Sequence, residues 1–163
     1  MLNRLLNVAG TLAVTACVFL YSKDLRIIEE LAWVFEPYTD FRASDDMAKK
    51  NATQYRDVID AVETRIARHL EGTGKKKRLE TDYEIVGGGE NWKMIREIGK
   101  DGKIGAFMDG INAYVIAKPH GEERWRYSIG RRSEFVPFDV PALIDVLNKA
   151  EGCTTDRWGG ADI

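Results

Sequence analysis

Glu123-Arg124-Trp125-Arg126-Tyr127-Ser128-Ile129-Gly130-Arg131-Arg132-Ser133 is the stretch whose reading decides the fold. Trp125, Tyr127 and Ile129 alternate with Arg126, Ser128 and Gly130, the two-residue period of a β-strand with one apolar face. The strand delivers Arg131, Arg132 and Ser133 at its end. Downstream, Asp139 caps a helix, Pro141 is tolerated in its first turn, Leu143, Ile144 and Leu147 form its buried side, and Gly152 ends it. Arg157, Trp158, Gly159 and Gly160 follow. Arginine forks and glycine backbone N–H groups together suit a phosphate or other oxyanion. The candidate phosphate-binding residues are therefore Arg131, Arg132, Ser133, Arg157, Gly159 and Gly160. The plainer reading is a solvated strand end bearing two surface arginines.

Working backward, the pattern predicts a small α+β unit. Tyr83 to Val86 is strand-like, and Gly87, Gly88 and Gly89 break it. Asn91 is read as the cap of a short helix with Trp92, Ile95 and Ile98 on one side. Ile104 to Phe107 and Ile111 to Ala117 are read as two further strands around the turn at Asp109-Gly110. Sequential hairpins favour antiparallel pairing in at least part of the sheet. The three glycines invite a phosphate-loop reading, but without the rest of that motif they read as a turn.

The first half is helical. Leu25, Ile28, Leu31 and Phe35 recur at helical spacing, and Pro37 is expected to end that helix. Ser44, with Asp45 and Asp46 behind it, reads as the start of a long helix whose stripe is Tyr55, Ile59, Val62, Ile66 and Leu70. Gly72 and Gly74 stop it. Lys75 to Arg78 is a basic run, read first as a solvated loop and second as a phosphate-backbone contact. The expected architecture is α+β: N-terminal helices, residues 1–74, then a small mixed or antiparallel sheet with two packed helices, residues 75–163.

Leu5 to Tyr21 is apolar but interrupted by Asn7, Thr11 and Thr15. A buried helix is the preferred reading, over a membrane anchor and over a cleaved signal, because a span needs roughly 20 apolar residues. Cys17, in that run, is expected to be a buried thiol. An apolar first helix without cover would promote association, so a homo-oligomer is one partner reading.

Across 163 residues, 44% hydrophobic and 31% charged describe a globular chain, and a net charge of -2 argues against a protein built mainly to neutralise nucleic-acid phosphates. Two cysteines without metal-type spacing fit a reducing, cytoplasmic setting. Metal-dependent hydrolysis needs several Asp, His or Glu ligands at one point, and the two histidines, His69 and His120, read as structural or solvated. No catalytic residue, metal ligand or cofactor of this chain is assigned.

From about Met94 onward the chain resembles the C-terminal, DHH-associated domain of the DHH phosphoesterase superfamily, which includes single-strand exonucleases, oligoribonucleases and exopolyphosphatase-like enzymes. The resemblance is carried by Asp109-Gly110-Ile111-Asn112-Ala113-Tyr114-Val115, by Ile129-Gly130-Arg131-Arg132-Ser133, by the helix from Val140 to Asn148 and by Trp158-Gly159-Gly160. It implies that Arg131, Arg132 and Ser133, with Gly159 and Gly160, lie where the accessory domain grips substrate phosphate. The implied substrate is a phosphoester or short nucleic acid. The family's Asp-His-His signature and its manganese-type metal site would belong to a separate catalytic domain or split partner chain, and no motif histidine follows Gly160. Such a chain alone would hydrolyse nothing. The alternative is a membrane-anchored protein-interaction module with no enzymatic activity, using Leu5 to Tyr21 as tether and Trp125 and Tyr127 as contacts.

Overall fold

A computed structural model describes residues 2–44, 51–119, 125–152, 154–155 and 157–159, with side chains described from residue 12 onward except that of Ala52. The chain divides into two compact units, Met1–Leu79 and Glu80–Ile163. The fold is α+β: helices come first, then a four-stranded mixed sheet with two helices.

The first unit holds α1 (Leu2–Tyr21), α2 (Leu25–Ala43) and α3 (Ala52–Leu70). Its core is Leu31, Trp33 and Val34 of α2 against Val62 and Ile66 of α3, with Leu12 and Phe19 of α1 packed on it. Ile59 and Leu70, expected on the buried stripe, are 50% and 71% exposed. Helix α1 turns Leu12, Thr15 and Phe19 inward and leaves Val14, Val18 and Tyr21 outward. Cys17 is exposed on that outer side, not buried as its apolar neighbours suggested. Among the described residues, no helix is long and apolar enough to cross a membrane.

Two helix boundaries differ from expectation, each for a local reason. Pro37 does not end α2, which continues to Ala43. Proline lacks the N–H that would bond the carbonyl four residues back, which here is that of Trp33. The Arg65 guanidinium of α3 donates to that orphaned carbonyl, and the same group stacks over the Trp33 ring at 4.9 Å and pairs with Glu36 at 2.9 Å. Ser44 closes α2 rather than opening α3: its N–H bonds the Asp40 carbonyl and its hydroxyl donates to Phe41. Asn51 caps α3, its side chain accepting from the Thr53 N–H at 3.0 Å. Asp45 and Asp46 lie outside the described residues.

The second unit runs β1 (Tyr83–Gly88), β2 (Lys93–Glu97), α4 (Gly102–Met108), β3 (Ala113–Pro119), β4 (Trp125–Arg131) and α5 (Val140–Glu151). Strand order follows the sequence. The β1–β2 and β3–β4 pairs are antiparallel, and β2–β3 is parallel, joined by the crossover through α4. Two elements are thus exchanged relative to the sequence reading. Trp92, Ile95 and Ile98 mimic helical spacing, but Lys93–Glu97 is a strand with Ile95 wholly buried. Ile104 to Phe107 lies in a helix. The reason is steric: a Cβ on Gly105 would sit 2.1 Å from the Thr81 carbonyl oxygen, and one on Gly102 would sit 2.9 Å from that of Asp82. Helical spacing puts both glycines on one side, where α4 lies flush on the chain entering β1. Gly87 and Gly88 do not break β1 but continue it, paired with Met94 and Lys93, and the β1–β2 turn starts at Gly89, whose N–H bonds the Trp92 carbonyl at 3.0 Å. Ile95, Ala106 and Ile116 make the core between sheet and α4.

Candidate functional site

Arg131 ends β4, and the chain turns at once. The Arg131 side chain reaches forward into that turn, where Nη1 donates to the carbonyls of Glu134 and Val136, both at 3.1 Å. The Val136 N–H donates to the Ser133 carbonyl at 3.1 Å, so half-buried Ser133 sits inside a built turn. This turn leads to Asp139, whose carboxylate accepts from the Ala142 N–H at 3.0 Å and caps α5 as expected.

Arg132 points the other way. It is 8% exposed, and its Nη1 donates to the Phe107 carbonyl at 3.0 Å and to Asn112 Oδ1 at 3.4 Å. Its guanidinium lies 5.2 Å from the Phe107 ring centroid. A buried cation bonded to the last turn of α4 holds that helix on the sheet. The two arginines therefore serve opposite faces, Arg131 toward α5 and Arg132 toward α4, because successive residues at a strand end alternate. They do not form one fork.

The C-terminal segment is fastened to the α5 side. Asn148 uses both ends of its amide on one residue: Nδ2 donates to the Trp158 carbonyl at 2.9 Å, and Oδ1 accepts the Trp158 N–H at 2.8 Å. The Trp158 ring packs 6.1 Å from that of Tyr127 on β4. Arg157 and Gly159, on either side of this anchor, are exposed, and a Cβ on Gly159 would meet nothing within 4 Å. Gly160 lies outside the described residues, as does His120. The structure thus brings Arg157 and Gly159 to a fixed place beside β4 and commits Arg132 to the interior. Asn148 was not among the residues the sequence singled out. An amide in the last turn of α5, ten residues before a tryptophan, carries no local signal for that contact.

Trp125 and Tyr127, whose alternation suggested a core face, are 54% and 42% exposed. Of the basic run, Lys76 pairs with Glu30 at 3.5 Å and Lys77 with Glu36 at 3.0 Å, so these two charges are taken by α2. His69 Nδ1 lies 3.1 Å from Glu30. Among the described residues no three His, Cys, Asp or Glu side chains gather as metal ligands.

No family model, curated protein or solved structure matches this chain.

Proposed function

We propose that the Glu80–Ile163 unit is the phosphate-gripping part of a phosphoesterase of the DHH type, acting on short nucleic acids or related phosphoesters in the cytoplasm. The observation that carries the reading is the Asn148 clamp. It presents an exposed guanidinium at Arg157 and an open backbone at Gly159 beside the strand that ends in Arg131. A guanidinium fork next to an unshielded peptide N–H is an arrangement that a phosphate accepts. Arg131 and Ser133 support it by building the adjacent turn, and Arg132 supports it from the far face of the sheet. The hydrolytic chemistry is assigned to a separate domain or partner chain, as the DHH resemblance implies.

Binding of a 5′-phosphorylated dinucleotide by the full chain, measured calorimetrically, tests this. Arg157→Ala should weaken it by about 1.5–3 kcal/mol, the cost of one charge-assisted hydrogen bond. Equal affinities for the two proteins would remove the reading. If that outcome came with recovery of the chain in a floated liposome fraction, the outward Val14, Val18 and Tyr21 of α1 would instead support the tethered interaction module.

A further inference from the structure

On the α4 side of the sheet, away from the Trp158 clamp, lies a cavity of about 270 Å³. Glu97, Lys100, Lys103, Tyr114, Lys118 and Ser128 line it. Its centre is a carboxylate turned inward: the Glu97 side chain is only 7% exposed. One oxygen of Glu97 accepts the Lys103 N–H at 2.9 Å, and the other pairs with the Lys118 ammonium. Glu97 thereby holds the Lys118 ammonium and the Lys103 backbone at the cavity. Lys103 Nζ is held 5.6 Å over the Tyr114 ring. The Tyr114 hydroxyl crosses β4 at Gly130, where a Cβ would come within 2.6 Å of it, so only glycine lets the phenol lie there. Burial raises the Tyr114 pKa, with the Glu97 charge adding to it, so the hydroxyl keeps its proton.

The charge balance favours an anion. Among the described lining residues, Lys100, Lys103 and Lys118 stand against two carboxylates, of which Glu97 is committed to Lys118 and Asp101 accepts the Glu80 N–H at 3.0 Å. Glu80, outside the lining, meets Lys100 at 3.4 Å with both side chains more than half exposed, a pair that a ligand can displace. Ammonium groups act as point charges on phosphate, and the hydroxyls of Tyr114 and Ser128 add directed donors. The volume is below the ~300 Å³ at which sites for drug-sized ligands begin. The face of the Tyr114 ring is already covered by Lys103, which leaves no platform for a base.

We infer that this cavity is a second anion site that takes a phosphate monoester through Lys100, Lys103, Lys118, Tyr114 and Ser128, and reads the phosphate but not the base attached to it. It does not depend on the Arg157 assignment.

Two-dimensional amide NMR of the full chain, titrated with ribose 5-phosphate, decides it. Shifts should appear at Lys100, Lys103, Tyr114 and Ser128, saturate, and recur with nucleoside 5′-monophosphates whatever the base; inorganic phosphate should shift the same amides, and an unphosphorylated nucleoside should not. Lys103→Ala should weaken the titration about tenfold, as the loss of one charged contact predicts. Ser128→Ala, which leaves every charge in place, should weaken it less. Arg157→Ala should leave it unchanged, so the two sites fail separately. Shifts reproduced by sodium chloride at equal ionic strength, or an undiminished titration in Lys103→Ala, would overturn the inference. Lys118 is left in place because its removal would strand the buried Glu97 charge.

Discussion

On the α4 side of strands β3 and β4, Ile116 and Ala106 are 4% and 1% exposed and Arg132 is 8% exposed. On the α5 side, Tyr127 and Trp125 of β4 are 42% and 54% exposed, and Val146 of α5 is 63% exposed. The first side carries the buried core of Ile95, Ala106 and Ile116, with the lysine-lined cavity beside it. The second is thinly covered and held by a few hydrogen bonds through Asn148 and Arg131. Neighbouring arginines of one sequence motif fall on the two sides and acquire different work. Arg132 fastens a helix, whereas Arg131 shapes a turn. A surface with few buried contacts is where local opening is cheapest, and ligand-binding segments are drawn from such regions.

The largest effect expected from breaking this contrast is on the α4 side. Arg132→Ala removes bonds to Phe107 and Asn112 and the packing of its stem on the Phe107 ring. A loss of about 2–4 kcal/mol is expected, and amide exchange along the β3–β4 ladder should accelerate by about two orders of magnitude. A wild-type exchange rate would show that α4 is held by something else.

Asn148→Ala acts on the thin side. It removes both hydrogen bonds to Trp158, a local loss of about 1–2 kcal/mol, while the β3–β4 ladder keeps its protection. Tryptic cleavage after Arg157 should speed up in the native protein. Unaltered cleavage would mean that the Tyr127–Trp158 contact alone holds the segment.

The smallest effect is at Tyr83, whose hydroxyl donates to Asp109 just past α4 at 2.7 Å. Burial first, and then the Asp109 carboxylate, push its pKa up from 10.0 to about 12. The folded state therefore holds this proton more tightly than the unfolded chain. The contribution is complete below pH 10 and is lost as pH rises toward about 12. Tyr83→Phe should remove that alkaline limb from a stability–pH profile and one late phenol from an absorbance titration at alkaline pH.

Much of this was legible in the residues. The period of Trp125 to Gly130 gave β4, and Asp139 and Gly152 marked both ends of α5. The elements on either side of Ile98 to Asp101 were misread because short apolar runs fit either period. Lys93–Glu97 was settled as a strand by pairing on both flanks, and Gly102–Met108 as a helix by the close fit of Gly102 and Gly105 on backbone carbonyls. Half of the candidate site was visible as residue types; its division between two faces and its Asn148 clamp were not.

Local chemistry by itself determined that the chain is α+β, with helices first, where α5 begins and ends, and which residues carry charge suited to an anion. Tertiary structure alone decided that α2 runs through Pro37, because the guanidinium completing the orphaned Trp33 carbonyl comes from another helix. It alone turned Arg131 and Arg132 apart and gathered lysines around Glu97. Propensity and capping act between residues a few positions apart, but a side chain's partner across a sheet is fixed only once register and crossover are formed.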